Sequence, residues 1–496
     1  MEYFIQALHH MFAIDTMLIL AIGVFVGVIV GALPGLGSAI GITLCIPFTF
    51  TMNNVAAIAL IVGVYAGSTY GGCISAILIN TPGTPQSAAT CFDGFPMALK
   101  GKSEEAIGWA TIGSVVGGTL SCFILIFCAP QLAAVAVKFG PIEMFALILM
   151  GMTCIVTVSG ENVFKGLLSG AIGISLCMVG LDPMTGDVRF TFGNFTLSGG
   201  FDLIPVLVGI FALSEVLVRI DILTRQKLTN IISCKGMRFP SLKNALSRIK
   251  IMLHASVVGG FFGILPGVGA APAVFFVYGE AKRISPNGDK FGTGEPDGIL
   301  APETTNNAVT GGALVPTLAL GLPGDGATAV MLATLMLHGV TPGVRLMIDS
   351  PDIVYAIFLI LFIANFMLIP MGILTSKWFS YMLRMPESLF LPMIVLICML
   401  GAYGSRNSEF DLITALGAGL LGVFFRYLSI PAAPLVIGLV LGSQFEFALR
   451  QTFVLTRGDI TELFNHPIAI GLILVVILLL LAPLRKNLRR KKAESV

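Results

Sequence analysis

The chain is organised as long apolar runs separated by short polar segments. Two examples are Met17 to Leu33 and Ile468 to Pro483, neither of which contains a charged residue. A helix needs about 20 mostly apolar residues to cross about 30 Å of hydrocarbon. Strands of a membrane barrel alternate apolar and polar residues instead. The continuous runs therefore predict an all-α integral membrane protein, and a large soluble protein with buried helices is the less favoured alternative.

We expect about twelve transmembrane helices, and those that contain Pro or Gly are candidates for broken or re-entrant segments. In the first part of the chain the candidate spans lie near residues 16–33, 55–79, 106–128, 142–158, 163–180 and 202–220. In the second part they lie near residues 251–279, 308–338, 353–375, 387–404, 411–428, 430–447 and 466–484.

Composition and charge support this picture. Of 496 residues 56% are hydrophobic and only 11% are charged, whereas an ordinary soluble domain has about 25% charged residues. Basic residues concentrate in segment 219–250 and in the tail from Arg485 to Lys492. The positive-inside rule assigns both to the cytoplasm, which predicts a multi-pass protein of the bacterial inner (plasma) membrane. The start of the chain lacks a basic region, so no cleavable signal peptide is expected.

Two motifs occur twice and in the same order. "GALPGLGSAIG" from Gly31 resembles "GILPGVGAAPA" from Gly263, and "GGCISAILINTPGTP" from Gly71 pairs with "GGALVPTLALGLPGDG" from Gly311. We therefore predict two homologous halves, residues 1–218 and 251–484, joined by the basic cytoplasmic linker 219–250 and followed by the tail 485–496. The uncertain number of spans leaves both a parallel and an inverted repeat open.

The repeated LPG motifs predict helix breaks inside the membrane. Proline removes a backbone donor and clashes with the preceding turn, and bare backbone groups cannot face lipid. The freed amides and a following helix N-terminus would attract a carboxylate, although packing kinks are the alternative explanation. The candidate substrate-binding residues of this motif pair are Pro34, Gly35, Gly37, Ser38, Pro266, Gly267 and Gly269.

The second motif pair adds polar side chains around its breaks. Hydroxyls and amides can donate to a carboxylate, and the predicted ligands are Asn80, Thr81, Pro82, Gly83, Thr84, Ser87, Pro323 and Gly324. Carbonyl and hydroxyl oxygens can also hold a cation, and a charge within the membrane is a functional candidate. The predicted coupling-ion residues are therefore Asp325, Gly321, Gly324 and Thr328, and the alternative for Asp325 is a position at the water interface.

A third polar cluster precedes the apolar run after residue 307. It contains Glu303, Thr304 and Thr305, followed by Asn306 and Asn307. Thr and Asn favour helix N-termini, so this segment is interpreted as a helix start whose cap also presents amides to a ligand. Asn306 and Asn307 join the predicted substrate-binding residues on this basis.

Several kinds of site are not indicated. "KGKS" at Lys100 lacks the first glycine of a phosphate-binding loop, and no HExxH motif is present. The nine cysteines form no CxxC pair, so no disulfide framework or metal site is expected. We therefore predict no enzyme activity and no cofactor. An intramembrane enzyme and a passive channel remain as rival functions.

The repeated motifs, together with "APETTNNAVTGGALVPTLALGLPGDG" from Ala301, resemble the large membrane subunit of the tripartite tricarboxylate transporters of the TctA type. This resemblance implies a secondary transporter that imports a di- or tricarboxylate such as citrate by symport with Na⁺ or H⁺. It also implies two partners, a small membrane subunit of four spans and a periplasmic solute-binding protein. The alternative is an anion channel, or a transporter for another small organic acid, that acts without partners.

Overall fold

The computed structural model is almost entirely helical, which confirms the all-α prediction. It describes residues 7–9, 11–33, 36–158, 162–182, 184–223, 234, 236–382 and 387–477. Within these residues, seven helices are long and apolar enough to cross a membrane, and seven shorter apolar helices accompany them. A two-stranded hairpin of β1 (Gly180–Leu181) and β2 (Val188–Arg189) is the only sheet in the described part of the chain. The number of about twelve spans stays a prediction.

The helices before the linker differ widely in length. They are α1 (Ile14–Ala32), α2 (Gly37–Thr49), α3 (Asn54–Ile79), α4 (Cys91–Met97), α5 (Ser103–Ala136), α6 (Pro141–Val158), α7 (Val163–Cys177), α8 (Leu203–Leu207) and α9 (Ser214–Leu223). Short 3-10 or π turns occupy Pro85–Ala88, Ala98–Lys102, Phe195–Gly199 and Val208–Leu213.

The helices after the linker also differ widely in length. The helices are α10 (Leu242–Ser247), α11 (Ile249–Ile264), α12 (Ala270–Ile284), α13 (Asp297–Leu320), α14 (Gly326–Leu337), α15 (Leu346–Asp349), α16 (Pro351–Met382), α17 (Glu387–Arg406), α18 (Glu409–Tyr427), α19 (Ala433–Thr456) and α20 (Pro467–Ile477). Residues 224–233 and 235 of the basic linker and the whole tail 485–496 lie outside the described residues, as do Pro34 and Gly35.

Candidate spans 251–279 and 308–338 each contain a break between two helices, as their Pro and Gly residues predicted. The sequence analysis omitted α2, an apolar helix that contains Pro47. The expected helix start at residues 301–307 is wrong, since these residues lie in the interior of α13, which begins at Asp297.

Glycines allow α1 and α3 to pack backbone to backbone. A Cβ added to Gly23, Gly27 or Gly31 would lie 2.6, 2.5 or 2.1 Å from the carbonyl oxygens of Leu60, Val64 or Ser68 respectively. Small residues at four-residue spacing are a common means of close helix packing in membranes. The residue numbers rise together along both helices, so α1 runs parallel to α3.

The second half repeats this arrangement with α11 and α13. A Cβ on Gly259 would lie 2.7 Å from the Thr305 carbonyl oxygen, and one on Gly263 would lie 2.7 Å from that of Val309. These numbers also rise together, so α11 runs parallel to α13. In both cases a short helix follows the first one and folds back along the bundle. The resulting helix hairpins are α1–α2 and α11–α12.

The two hairpins enter from opposite ends of the bundle because α3 and α13 are antiparallel. Near the end of α3, Ile77 packs against Gly94, while the neighbouring Asp93 packs against Gly298 at the start of α13. Midway, Asn306 donates a 3.0 Å hydrogen bond from Nδ2 to the Thr69 carbonyl. The first helix of each hairpin is parallel to its own long helix. The tips of the two hairpins therefore point toward each other.

Asp93 ties α4 to the loop before α13. Its Oδ1 accepts hydrogen bonds from the backbone N–H groups of Gly292, Gly294 and Glu295 at 2.8–2.9 Å, and its Oδ2 accepts one from the Tyr278 hydroxyl at 2.9 Å. Four hydrogen-bond donors satisfy the acceptors of this buried carboxylate. This contact fixes the end of the bundle at which α5 and α13 begin.

We predict that Gly27→Ala lowers the stability of the protein by about 1–3 kcal/mol, because the new methyl group overpacks the α1–α3 contact. Thermal unfolding of the detergent-solubilised protein measures the effect. The matched control is Gly279→Ala in α12, where a Cβ meets no atom within 4 Å. That control should be neutral or slightly stabilising, since Ala has the higher helix propensity. Equal melting temperatures for the two variants would contradict the proposed close packing.

Candidate functional site

The first helix break lies between α1 and α2. α1 ends at Ala32, and α2 begins at Gly37, whose φ of 64° favours glycine. Pro34 and Gly35 were predicted to cause this break, but they lie outside the described residues. Ser38 lies in the first turn of α2, and its buried hydroxyl has no hydrogen-bond partner among the described residues. The break thus leaves an unused donor at the tip of the hairpin.

The second break follows α3. Asn80 ends the helix in a left-handed conformation, and the chain then folds back so that the Gly83 N–H donates to the Gly72 carbonyl. A Cβ on Gly83 would lie 2.0 Å from the Gly31 carbonyl oxygen, so this segment packs directly against the end of α1. The side chains of Asn80 and Thr81 are exposed on the outer side of the turn.

The breaks of the second half meet each other in the same way. The tip of the α11–α12 hairpin joins the loop after α13 through a 2.9 Å hydrogen bond from the Gly267 N–H to the Gly324 carbonyl. Gly321 ends α13 in a left-handed conformation. A Cβ on Gly324 would lie 2.6 Å from the Ala313 Cα, so the returning loop lies flat against α13.

All four breaks border one cavity of about 910 Å³. The lining comes from the hairpin tips, from the returning loops, and from α18, the π turn after α8 and the loop before α19. The predicted residues that line it are Gly37, Ser38, Pro82, Gly83, Thr84, Gly267, Gly269 and Asp325. Helices α2, α12 and α14 begin at this cavity, because Gly37, Ala270 and Gly326 line it. Their N-termini give the cavity a partial positive charge.

Other predicted residues are not part of the cavity wall. Pro266, Pro323, Gly324, Gly321 and Thr328 stabilise or adjoin the breaks without lining the cavity, and Asn80 and Thr81 point elsewhere. Ser87 lies behind the wall, where its hydroxyl is 3.0 Å from the Thr84 hydroxyl. Asn306 and Asn307 are buried within α13 and do not reach the cavity. Their expected exposure at a helix start was wrong, because α13 begins several residues earlier.

Asp325 is the N-cap of α14. Its Oδ1 accepts a 2.7 Å hydrogen bond from the Thr328 N–H, while the Thr328 hydroxyl accepts one from the Asp325 N–H at 2.8 Å. The Tyr65 hydroxyl donates to the second carboxylate oxygen at 2.9 Å. This reciprocal capping box accounts for the position of Asp325 at the cavity. It also links α14 to α3 across the two halves.

The sequence analysis did not identify Arg426, the one cationic side chain among the described residues that line the cavity. It lies in the last turn of α18 and is 46% exposed. Glu215 in α9 holds it through an ion pair, and Arg219 holds the other Glu215 oxygen at 2.8 Å. An arginine within an apolar span is a functional signal in its own right, so the information was present in the sequence.

A second polar cluster surrounds Glu303, which is completely buried in α13. The Thr90 hydroxyl donates to one carboxylate oxygen, and the Ser114 hydroxyl lies 3.5 Å from the other. Within the described residues, no Lys, Arg or His forms an ion pair with Glu303. The sequence analysis mentioned Glu303 only as part of the expected cap.

The fold and the cavity define a class of protein: a polytopic all-α membrane protein with a cavity built from opposed helix hairpins. Discontinuous helices that meet at mid-bilayer are typical of secondary transporters. The chain belongs to the tripartite tricarboxylate transporter TctA family, whose model matches residues 17–437. Membership of this family identifies the chain as a transporter component.

Two curated relatives come from Agrobacterium vitis. The "Uncharacterized 52.8 kDa protein in TAR-I ttuC' 3'region" is 33% identical over 473 residues, covering 95% of this chain and 93% of the relative. The "Uncharacterized protein in TAR-II ttuC' 3'region" is 33% identical over 240 residues, covering 48% of this chain and 98% of the relative. No solved structure matches significantly.

We predict that Asp325→Ala destabilises the protein by about 0.5–2 kcal/mol, the usual cost of removing an N-cap. Asp325→Asn should cost less, because its amide oxygen can still accept from the Thr328 N–H. Thermal unfolding of both variants compares the two effects. Equal destabilisation by Ala and Asn would show that the charge of Asp325, rather than its capping, supports the fold.

Proposed function

We propose that this chain is the large transmembrane subunit of a binding-protein-dependent secondary transporter that imports a di- or tricarboxylate such as citrate. The single observation that carries the proposal is the cavity, where Arg426 and the starts of three helices converge. The family membership supports the transport class and the tripartite organisation.

The charges around the cavity favour an anion. A guanidinium can bind a carboxylate through two parallel hydrogen bonds, and Arg426 has more donors than its ion pair with Glu215 uses. The helix N-terminus at Gly37 adds backbone N–H groups, and the unpartnered Ser38 hydroxyl lies beside them. Asp325 is the only acidic residue in the described lining, and hydrogen-bond donors already engage both its oxygens. A substrate carboxylate would therefore sit on the side of Arg426 and Ser38.

The dimensions of the cavity also suit a small organic acid. Ligand sites in proteins commonly have volumes of about 300–1,000 Å³, and this cavity has about 910 Å³. Apolar side chains such as Ile210, Phe211 and Phe425 complete the wall. A polyanion the size of citrate would fit with some water, so a conformational change would close the site around it.

Transport by alternating access would follow from the opposed hairpins. Each hairpin reaches the cavity from its own end of the bundle, so movement of one relative to the other can open the cavity to either side. We propose symport with a cation, Na⁺ or H⁺, and the predicted cation role of Asp325, Gly321, Gly324 and Thr328 is part of this proposal. An anion channel is the alternative, and accumulation against a concentration gradient separates the two.

The proposed partners are a small membrane subunit of four spans and a periplasmic solute-binding protein. The protein would lie in the bacterial inner membrane, with its central linker and its C-terminal tail in the cytoplasm. The cytoplasmic assignment of the linker is supported by its basic residues, which lie at the end of the bundle where α5 begins. There the Arg238 N–H donates to the Glu104 carbonyl, and Arg248 pairs with Glu295 and Asp297.

We predict that Arg426→Gln raises the KM for carboxylate uptake by about 10- to 100-fold. The reason is that a hydrogen bond to a charged group contributes about 1.5–3 kcal/mol, and each 1.4 kcal/mol is tenfold. Uptake of labelled citrate and succinate by membrane vesicles containing the complete transporter measures this change.

Two controls accompany the Arg426 variant. Arg450→Gln removes an arginine that pairs with Asp182 and Glu446 away from the cavity, and it should leave KM unchanged. The double variant Glu215→Gln with Arg426→Gln removes both partners of the ion pair, which separates lost recognition from the effect on Glu215 of losing one of its two arginine partners. An unchanged KM in both Arg426 variants, with normal protein levels, would refute the proposed anion site.

A further inference from the structure

Two buried carboxylates near the end of α3 have contrasting surroundings. Asp93 receives four hydrogen bonds, three of them from backbone N–H groups, and such a set stabilises a negative charge. Glu303 receives one from the Thr90 hydroxyl, with the Ser114 hydroxyl at 3.5 Å. A carboxylate buried without a cation or sufficient donors costs several kcal/mol, and such a group takes up a proton instead.

The neighbours of Glu303 on α13 also suit a neutral carboxyl. Asn306 and Asn307 lie three and four residues further along the same helix face, and both side-chain oxygens are buried without a hydrogen-bond partner. Their amide nitrogens already donate to the carbonyls of Thr69 and Glu303, which fixes the orientation of each amide. Within the described residues, neither amide forms a hydrogen bond with the Glu303 carboxylate, so these neighbours do not stabilise its charge.

The titratable groups facing Glu303 bring no positive charge. Tyr70 and Cys73 on α3 and Cys91 on α4 lie within electrostatic reach of it. From α5 it meets the hydroxyl of Ser114. Each of these groups is neutral in its ordinary state, so within the described residues nothing other than a proton or a bound cation balances Glu303.

Three hydroxyl side chains lie on the segment between the cavity and Glu303, and the Thr90 N–H donates to the Ser87 carbonyl at 3.1 Å. Thr84 lines the cavity, its hydroxyl is 3.0 Å from that of Ser87, and Thr90 follows three residues later with its hydroxyl on Glu303. Gly72 makes room for these hydroxyls, because a Cβ there would lie 2.4 Å from the Ser87 hydroxyl oxygen. All three side chains are almost completely buried.

We infer that Glu303 is a proton-binding site of the transport cycle, reached from the cavity along the hydroxyls of Thr84, Ser87 and Thr90. A proton from cavity water forms an O–H bond with one carboxylate oxygen, and this bond breaks when the proton returns to water on the other side of the membrane. The neutral carboxyl accepts from Thr90 and donates to Ser114. This inference rests on the transport function proposed above, and it adds a proton site at Glu303 to the cation role proposed for Asp325.

The test uses right-side-out membrane vesicles that contain the complete transporter and a pH-sensitive dye in the lumen. Addition of citrate or succinate to wild-type vesicles should acidify the lumen, and the uptake rate should fall as the external pH rises because the site must bind a proton first. Glu303→Gln should abolish the acidification and slow net uptake by at least tenfold. It should still exchange labelled for unlabelled substrate, because exchange does not require the proton to leave.

Two further variants make the result specific. Glu303→Asp keeps a carboxyl and should restore acidification. Glu409→Gln removes a carboxyl from the first turn of α18, outside the cavity lining, and should keep the pH dependence of the wild type. Wild-type acidification that persists in Glu303→Gln, or that disappears equally in Glu409→Gln, would overturn the assignment to Glu303. Uptake that requires Na⁺ and moves no proton would likewise show that the proton assignment is wrong. If wild-type vesicles accumulate neither acid, the proposed function itself fails.

Discussion

The structure depends on one constraint, which is that a backbone freed from helical hydrogen bonding inside a membrane must find partners other than lipid. Four helix breaks create such backbone, and the protein brings them together. Gly83 packs on Gly31, and Gly267 donates to Gly324. The remaining N–H groups at the starts of α2, α12 and α14 face a shared cavity. The site is thus a consequence of breaking helices in pairs and burying the breaks against each other.

Glycine also makes this assembly possible by allowing close contact between helix backbones. The parallel contacts of α1 with α3 and of α11 with α13 leave no space for a Cβ, so each hairpin is held rigidly against its own long helix. Since α3 and α13 are antiparallel, the hairpins point in opposite directions. The two motif copies thus have the relation expected of an inverted repeat, which the sequence analysis left open.

Local signals in the sequence were sufficient to predict the helix breaks but not the residues that surround them in the fold. Proline and glycine marked all four interruptions, and Thr84, Ser38 and Gly267 lie beside them at the cavity. Asn306 and Asn307 were assigned to a helix start because their polarity resembles a helix cap, whereas both lie inside α13 and Asn306 contacts α3. The charge of Arg426 was visible in the sequence, but its position beside the hairpin tips depends on the packing of α18, which no local pattern predicts.

The most direct test of the central claim is the solvent access and substrate protection of one cysteine in each hairpin. In a variant without native cysteines, Ala39→Cys and Ala271→Cys place single thiols on α2 and α12 at the cavity wall. Both thiols should react with a small water-soluble methanethiosulfonate, and the carboxylate substrate should slow both reactions. If neither thiol reacts, or if the substrate protects only one of them, the two hairpins do not share one anion site.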